Sequence, residues 1–315
     1  MSKKKTATKR TKKASFETAA RPTAAPEIPA VVPEGGLAAV LRLPQGPVDL
    51  STFDPRATEG FPGKKGKDDA KAVKKEMLPR LTELQERLFA HGSTAPETAP
   101  RLLLLLQGMD TSGKGGVIRH AVGMVDPQGV DITSFKSPTP EELEHDFLWL
   151  IEKALPAPGQ IGVFDRSHYE DVLIVRVNEL VEPEEWQSRY EKINRFEAQL
   201  VERGTTVIKC FLHVSFDEQK ERLLERLERP DKYWKYNPGD LAVRAKWDDY
   251  REAYQDALER CTTDAAPWYV VPADRKWYRN WAVAQLLVEH LEALDPQWPE
   301  ADYDVEEQTR LIQAS

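Results

Sequence analysis

The stretch that decides the fold is Leu102-Leu-Leu-Leu-Leu-Gln-Gly108-Met-Asp-Thr-Ser-Gly-Lys114-Gly-Gly116. Its unbroken run of leucines is typical of a strand that is buried on both faces of a sheet. The residues that follow satisfy the pattern G-x-x-x-x-G-K, and a helical pattern begins near Gly115. A strand, a glycine-rich turn and a helix in this order are the setting of a phosphate-binding loop, or P-loop.

Each part of such a loop has a physical role in holding phosphate. Glycines permit a tight turn, successive backbone N–H groups converge on phosphate oxygens, and a lysine contributes a point charge. The strand and helix on either side favour this interpretation over a glycine-rich turn with an incidental lysine. The predicted phosphate-binding residues of the loop are Gly108, Met109, Thr111, Ser112, Gly113 and Gly115, with Lys114 as a catalytic residue.

Short apolar runs alternate with helix-sized segments along the chain. The runs fall at residues 102–106, 130–135, 161–164, 207–214 and 269–271. Strands that are separated by helices predict an α/β fold with a parallel sheet covered on both faces. We therefore expect a P-loop kinase-like, doubly wound parallel sheet of about five strands, flanked by helices and carrying a helical lid.

Changes in composition suggest the domain boundaries. Residues 1–70 are rich in Lys, Thr, Ala, Pro and Gly and show little apolar periodicity, which predicts a disordered basic and proline-rich tail and linker. The P-loop domain is predicted at residues 71–295, with its lid at about 216–260. Residues 296–315 are acidic and contain proline, and they are predicted to form a C-terminal tail.

A helix is expected to lead from about Ala70 into the domain. Leu81, Leu84 and Leu88 recur at helical spacing, so they should share one buried face. Pro79 lies within this pattern and is expected to kink or restart the helix.

The charge of the chain limits how an anionic substrate could be held. The formal net charge is −8, and residues 1–13 carry seven Lys or Arg and no acid, so the remainder carries −15. An anionic substrate therefore needs local cations or a metal ion. The basic tail is interpreted as a solvated extension rather than a nucleic-acid-binding arm, and no nucleic acid is expected as a partner.

Neither secretion nor membrane association is expected. No apolar segment follows the basic residues at the start, and no run of about 18 apolar residues occurs. Cys210 and Cys261 lie far apart, without the close spacing of a zinc site or a redox dithiol. A cytoplasmic location is the simplest interpretation.

Gly115 stands where many P-loops carry a Ser or Thr whose hydroxyl ligates Mg²⁺, so other metal ligands are expected. Asp110 lies inside the loop, where it would repel phosphate unless a cation stood between them. Asp165 ends the apolar run 161–164, and the carboxyl ends of parallel strands meet at one edge of the sheet. We predict that Asp110 and Asp165 share Mg²⁺. The alternative for Asp110 is that its side chain accepts from the loop's own N–H groups.

The segment after the third apolar run adds further candidates. Arg166 is predicted to neutralise charge on a transferring phosphoryl group, with a salt bridge inside a helix as the alternative. Glu170 and Asp171 are additional candidates for metal binding, alongside capping and surface roles. Ser167 and His168 are not interpreted as part of a catalytic triad, because no nucleophile motif accompanies them.

A basic cluster follows the fourth apolar run. Ser215-Phe-Asp-Glu218 forms a capping box that begins a helix, and arginines then recur on one face of it. Interleaved glutamates favour a solvated helix with ion pairs, but beside a P-loop we prefer a lid that closes over phosphates. The cations of this segment that are predicted to bind phosphate or nucleotide are Arg222, Arg226, Arg229, Lys232 and Lys235. Lys136, just after the second apolar run, is predicted to do the same.

Seven blocks of sequence between Ala70 and Leu294 resemble the polyphosphate kinase family 2. They are Leu-Gln-Glu-Arg-Leu-Phe-Ala (84–90), Gln-Gly-Met-Asp-Thr-Ser-Gly-Lys-Gly-Gly (107–116), Phe-Lys-Ser-Pro-Thr-Pro-Glu-Glu-Leu (135–143), His-Asp-Phe-Leu-Trp (145–149), Phe-Asp-Arg-Ser-His-Tyr-Glu-Asp-Val-Leu (164–173), Arg-Pro-Asp-Lys-Tyr-Trp-Lys (229–235) and Ala-Pro-Trp-Tyr-Val-Val-Pro-Ala-Asp (266–274). Members of this family are P-loop enzymes that move phosphoryl groups between inorganic polyphosphate and nucleotides.

The resemblance implies roles for individual residues. Asp110 and Asp165 would be essential acids at the Mg²⁺ site, Lys114 and Arg166 would contact phosphates, and a lid would follow the fourth strand. The segment 167–171 resembles the subgroup that phosphorylates both AMP and ADP.

The expected activity is the Mg²⁺-dependent, reversible transfer of the terminal phosphoryl group of inorganic polyphosphate to AMP or ADP, forming ADP and ATP. Guanine nucleotides stay open as further acceptors, and a homo-oligomer, either a dimer or a tetramer, is expected. Two alternatives stay open: a P-loop kinase that uses ATP to phosphorylate a nucleoside monophosphate or small metabolite, and a non-catalytic polyphosphate-binding protein. Asp110, Lys114 and Asp165 together argue against the second.

Overall fold

The computed structural model describes residues 32–315, and residues 1–31 lie outside the described part of the chain. Its five strands are β1 (Arg101–Gln107), β2 (Val130–Ser134), β3 (Ile161–Asp165), β4 (Thr205–His213) and β5 (Trp268–Pro272). All neighbours pair in parallel, in the spatial order β2-β3-β1-β4-β5. Each strand overlaps an apolar run identified in the sequence, and the predicted α/β fold with a parallel sheet is confirmed.

Helices connect and cover the strands. Within residues 32–315 the α-helices are α1 (Gly36–Leu41), α2 (Lys67–Thr94), α3 (Lys114–His120), α4 (Trp149–Lys153), α5 (Ile174–Val177), α6 (Pro183–Glu202), α7 (Phe216–Glu228), α8 (Asp240–Ala245), α9 (Trp247–Arg260), α10 (Lys276–Leu294) and α11 (Val305–Ala314). No helix in this range combines the length and the apolar character that a membrane span requires.

The connections arrange the main helices in two layers. The step from β1 to β2 runs toward one edge of the sheet and the step from β3 to β4 toward the other, so right-handed crossovers place α3 and α6 on opposite faces. Helices α2 and α10 accompany α3, and Arg80 Nε on α2 donates to Glu292 on α10 at 3.0 Å. Helix α9 accompanies α6, and Asn194 Nδ2 donates to the carbonyl oxygen of Arg260 at 2.9 Å.

The central strand β1 is covered on both faces. Residues Leu102–Leu106 are all 0% exposed, as the unbroken apolar run predicted. Burying a leucine side chain contributes roughly 1.5–3 kcal/mol. The strand that leads into the P-loop is therefore held firmly in the core.

Residues 36–53, which lie within the segment predicted to be a disordered tail and linker, instead pack against the domain. Leu37, Leu41 and Leu50 are buried in the core. The carboxylate of Glu289 on α10 accepts from the N–H groups of Leu37 and Ala38 at 2.9 and 2.7 Å, which caps α1. The segment contacts β5 and α10 in turn, so its apolar residues follow no single period. The basic residues 1–13 lie outside the described residues.

Helix α2 runs continuously through Pro79, so of the two expected effects, a kink or a restart, the restart does not occur. Pro79 cannot donate to the carbonyl of Lys75, but both residues are exposed, so water can satisfy that carbonyl. Leu81, Leu84 and Leu88 are 0% exposed, which confirms the predicted buried face. Within the predicted C-terminal tail, α11 is a helix in which no residue is buried.

Candidate active site

A tight loop joins β1 to α3 at the carboxyl edge of the sheet. Gly108 and Gly113 have φ angles of 146° and 110°, which favour glycine. A Cβ at Gly108 would lie 2.7 Å from the carbonyl oxygen of Leu212, and one at Gly113 would lie 1.8 Å from a guanidinium nitrogen of Arg279. Both glycines are therefore required by the backbone and by close neighbours.

Lys114 folds back over this loop. Its Nζ donates to the carbonyl oxygen of Gly108 at 2.8 Å. Burial, followed by the nearby Arg166, lowers the pKa of Lys114, against the opposing effect of the carboxylates of Asp165, Asp110 and Glu170. The amine thus lies among the groups that were predicted to surround a phosphate.

Arg166 joins the loop to the end of β3. Its Nη2 donates to Asp110 Oδ1 at 3.1 Å, and its backbone N–H donates to the carbonyl oxygen of Leu106 on β1 at 3.1 Å. Arg166 and Thr111 both have positive φ, at 68° and 65°, a backbone conformation that is costly for residues other than glycine and that clusters at functional sites. Because β1 and β3 are neighbours, the structure brings Asp110, Asp165 and Arg166 to one edge.

Gln107 is a site residue that sequence reasoning missed. It is fully buried at the end of β1. With its amide oxygen facing the Ser167 hydroxyl at 3.0 Å, its amide nitrogen donates to Glu170 Oε1 at 3.1 Å. Burial raises the pKa of Glu170, although Arg166 and Lys114 act in the opposite direction. Gln107 therefore orients Glu170 beside the loop.

Asp171 is held in a separate ion pair. Arg189 Nη1 on α6 donates to Asp171 Oδ1 at 2.8 Å. Burial raises the pKa of Asp171 to about 6, although Arg189 lowers it. Of the two additional metal candidates, only Glu170 lies in the electrostatic environment of Lys114 and Asp110.

Over residues 32–315, no three side chains of His, Cys, Asp or Glu are grouped so as to hold a metal ion by themselves. Mg²⁺ does not depend on such a group, because proteins usually bind it through one or two carboxylates together with substrate phosphates. Asp110 and Asp165 supply hard oxygen donors of that kind at the loop. The donor set therefore fits the metal that the sequence predicted.

The structure contradicts the predicted role of Arg222. This residue is 6% exposed, and its guanidinium binds the protein and not open solvent. Its five N–H groups donate to Glu218 and to the carbonyl oxygens of Thr111, Ser112, Ala273 and Asp274. Since every donor is used, Arg222 supports the back of the P-loop and has none left for substrate.

The other predicted lid cations are mostly engaged in local contacts. Arg226 Nη1 donates to the carbonyl oxygen of Lys235 at 2.8 Å and to Asp240 at 3.2 Å. Arg229 pairs with Asp231, and Lys232 pairs with Glu225. Among residues 32–315, Lys235 joins no ion pair and lies near the ring of the exposed Trp234. These contacts match the alternative of an ion-paired helix, and the lid over phosphates stays a prediction.

Lys136 is exposed just beyond β2. The N–H of its neighbour Phe135 donates to the carbonyl oxygen of Asp165 at 3.1 Å, so Lys136 is next in sequence to a residue that contacts the site.

Helix α9, which was included in the predicted lid, instead places Tyr250, Tyr254 and Leu258 in the core.

His168 belongs to a buried network and is not exposed to a substrate. It is 1% exposed, and its Nε2 lies 3.2 Å from Glu197 Oε1 on α6. Lys209 Nζ on β4 donates to Glu197 Oε2 at 2.6 Å and to the Tyr169 hydroxyl at 2.9 Å. This network fixes the turn that follows Arg166. The burial of His168 is consistent with the decision not to interpret Ser167 and His168 as part of a catalytic triad.

Comparison with known proteins identifies the family. The profile of Polyphosphate kinase 2 (PPK2) matches residues 69–299. The chain belongs to the polyphosphate kinase 2 family. The resemblance seen in the seven sequence blocks is thereby confirmed.

Relatives and solved structures of the polyphosphate kinase 2 family cover most of the chain. The AMP/ADP-polyphosphate phosphotransferase of Meiothermus ruber is 46% identical over 82% of this chain and 94% of its own length. The ADP-polyphosphate phosphotransferase of Rhodopseudomonas palustris is 40% identical over 80% of this chain and 89% of its own length. The crystal structure of polyphosphate kinase 2 from Arthrobacter aurescens TC1 superposes with a TM-score of 0.84 and 52% identity, over 91% of this chain and all of that one.

Arg279 is a second residue near the P-loop that sequence reasoning missed. It lies on α10, is 3% exposed, and donates through Nη1 to the carbonyl oxygen of Ser112 at 2.9 Å. Burial, followed by the nearby Arg222, lowers the pKa of Arg279 to about 9. The only sequence signal was an arginine inside an apolar helix, which gives no indication of its partner.

The substitution Arg222→Ala tests the revised role. It leaves several buried carbonyl groups without donors, so we expect the free energy of unfolding to fall by about 2–3 kcal/mol. Urea denaturation should show this loss, whereas Arg229→Ala, at a half-exposed ion pair, should leave the midpoint nearly unchanged. Equal stability of the two variants would contradict a supporting role for Arg222.

Proposed function

We propose that this chain transfers the terminal phosphoryl group of inorganic polyphosphate to AMP and to ADP, forming ADP and ATP, with Mg²⁺ as cofactor. The observation that carries the proposal is the meeting of Lys114, Asp110, Asp165 and Arg166 at one sheet edge in a member of the polyphosphate kinase 2 family. The names of two relatives, which specify AMP/ADP and ADP as acceptors, support the choice of substrates.

The chemistry requires charge neutralisation and alignment more than covalent catalysis. Polyphosphate and nucleotide are both anionic, and a nucleotide phosphate oxygen can attack the terminal phosphorus directly. Lys114 and the N–H groups of the loop bind the phosphoryl group that is transferred. Arg166 donates one N–H to Asp110 in the structure, and its remaining N–H donors can bind the negatively charged oxygens of the transferred phosphoryl group.

Asp110 and Asp165 would hold Mg²⁺ together with substrate phosphates. Mg²⁺ held there would supply positive charge that neutralises the phosphate oxygens during transfer. Asp110 is only partly exposed, with 23% of its side-chain surface accessible, so it can serve both Arg166 and a metal ion at the rim of the loop.

The acceptor assignment is tested by the order of products. With polyphosphate and Mg²⁺ but no ATP, AMP should give ADP first and ATP later, as followed by nucleotide chromatography. An inhibitor of adenylate kinase excludes the disproportionation of ADP. ADP as the final product, or inertness toward AMP, would contradict the dual specificity, and transfer from ATP alone would favour a different P-loop kinase.

The metal assignment is tested by Asp110→Asn and Asp165→Asn. Each substitution keeps the shape of the side chain and removes a charge, so the Mg²⁺ concentration for half-maximal rate should rise by about tenfold, which corresponds to about 1.4 kcal/mol. Asp171→Asn is the matched control, because Asp171 pairs with Arg189. An unchanged magnesium titration in both loop variants would overturn the shared site.

A further inference from the structure

An unusual density of lysine precedes and begins helix α2. Six of the twelve residues from 64 to 75 are lysines, namely Lys64, Lys65, Lys67, Lys71, Lys74 and Lys75. The ion pairs of α2 are formed by Arg80 and Arg87, and within residues 32–315 none of the six lysines joins one. Lys67 lies in the first turn of α2, where a cation opposes the helix dipole, so its presence is not explained by stabilisation of that helix.

Four of these lysines line a groove of about 510 Å³ between α2, the end of α3 and the start of α10. We call it the lysine groove; its lining combines Lys67, Lys71, Lys74, Lys75 and His120 with the apolar residues Ala70, Leu78, Met124 and Trp277. Lys74 donates to the carbonyl oxygen of His120 and so caps α3. The side chains of the other three lysines are exposed and free to meet a ligand.

Helix α3 connects the lysine groove to the P-loop. Its first residue is Lys114 and its last is His120, which lie about 9 Å apart along the helix axis. Gly115 and Arg119 are both exposed and share one face of α3, four residues apart. A Cβ at Gly115 would have no neighbour within 4 Å, so this face is open beside the loop.

The charge along this path is positive, because the six lysines outnumber Asp68 and Asp69 in the same stretch, whereas the chain outside the basic tail is strongly acidic. Besides burial, Lys74, Arg119 and Arg279 all lower the pKa of His120, which places three cations within electrostatic reach of that ring. A ligand with repeating negative charges gains from such a row of cations, while the acidic remainder of the surface repels it.

We propose that the lysine groove binds the part of a polyphosphate chain that extends beyond the P-loop, along the exposed face of α3. This inference rests on the proposed use of polyphosphate and adds a second contact region for the same substrate. A chain of a few phosphates ends before the groove, whereas a long chain reaches it. The groove therefore makes affinity depend on chain length.

The test is the triple variant Lys67→Ala, Lys71→Ala and Lys75→Ala, which leaves Lys74 in place. Its matched control is Lys192→Ala, Arg195→Ala and Arg203→Ala, which removes three cations at α6 on the opposite face of the sheet. With ADP as acceptor, the groove variant should raise the KM for long-chain polyphosphate by roughly tenfold or more and the KM for inorganic triphosphate by less than about twofold. The control should change neither value, and Arg119→Ala should shift the long-chain KM in the same direction as the groove variant.

Binding measured without turnover separates this inference from the proposed function. Fluorescence anisotropy of labelled long-chain polyphosphate should show weaker binding by the groove variant and a shallower dependence of log Kd on log salt concentration. If the unaltered enzyme binds polyphosphate but transfers nothing from it, the proposed function fails while the groove assignment is still decided by these affinities. Equal losses for short and long chains, unchanged affinity, or preference for an RNA of the same charge would overturn the inference.

Discussion

The variant Lys114→Ala should fold normally and lose phosphotransfer by roughly 10²–10³-fold. Losing one well-placed charge that stabilises a developing anion costs about 3–4 kcal/mol in the transition state. Among the residues that the structure describes, 32–315, the Lys114 amine donates one hydrogen bond, to the carbonyl oxygen of Gly108 within its own loop. Removing the side chain therefore deletes the proposed phosphate contact and leaves the core of the protein in place.

Single-turnover rates with polyphosphate and ADP give the size of this effect, and urea denaturation checks the fold. Lys220→Ala is a suitable control, because Lys220 is an exposed lysine on α7. Near-normal turnover of Lys114→Ala would remove this residue from the mechanism. A large loss of stability would instead assign it a structural role.

The second large effect is expected at Lys209, in the core. Lys209 is 0% exposed, and its amine donates to Glu197, to the Tyr169 hydroxyl and to the carbonyl oxygen of Cys261. Lys209→Met leaves the carboxylate of Glu197 buried without its cation. Breaking a buried pair in this way typically lowers the free energy of unfolding by about 3–5 kcal/mol.

The pH dependence of this loss follows from the pKa of Glu197. Burial alone would raise it, but Lys209 and then His168 hold the pKa of Glu197 below its ordinary value. The pair therefore stabilises the protein above the unfolded-state pKa, and this contribution is lost as the pH falls through the folded-state pKa. In Lys209→Met the effect of burial on the pKa of Glu197 is less opposed, so this pKa should rise. Protonation of Glu197 at low pH then removes the unpaired buried charge. The stability of the variant and that of the unaltered protein should therefore converge in acid.

The double variant Lys209→Met with Glu197→Leu is the matched control. It removes both charges, so chemical denaturation should show much of the lost stability restored relative to Lys209→Met alone. If the single substitution leaves the denaturation midpoint unchanged, the buried network contributes little to the fold. If the double variant is less stable than Lys209→Met alone, the unpaired carboxylate of Glu197 does not cause the loss of stability.

Much of the site could be predicted because it follows from local patterns and one topological rule. The leucines of β1 predicted a strand with two buried faces, and the glycines after it predicted a tight turn. Asp165 could be placed near Asp110 because the carboxyl ends of parallel strands share one edge of the sheet. The parts that could be predicted are those in which the partners lie close in sequence or on neighbouring strands.

The supporting residues could not be predicted, because their partners lie far away in sequence. Arg222 looked like one more cation on the face of a charged helix, and Arg279 and Lys209 were isolated charges within apolar segments. Only the fold shows that Arg222 meets carbonyls more than fifty residues away on both sides of it in the chain. The ordered segment 36–53 was missed for the same reason, since its apolar residues pack against β5 and α10.

The two arginines behind the P-loop also determine which way its peptide groups point. Arg222 and Arg279 both donate to the carbonyl oxygen of Ser112, at 3.0 and 2.9 Å. In a planar trans peptide the C=O and the N–H point in opposite directions, so drawing this oxygen backward aims the N–H of Gly113 forward. Gln219 does the same for the N–H of Thr111 by donating to the carbonyl oxygen of Asp110 at 3.1 Å. Helices α7 and α10 thus set the direction of these dipoles during folding, so a phosphate bound as proposed would meet donors that need no reorientation.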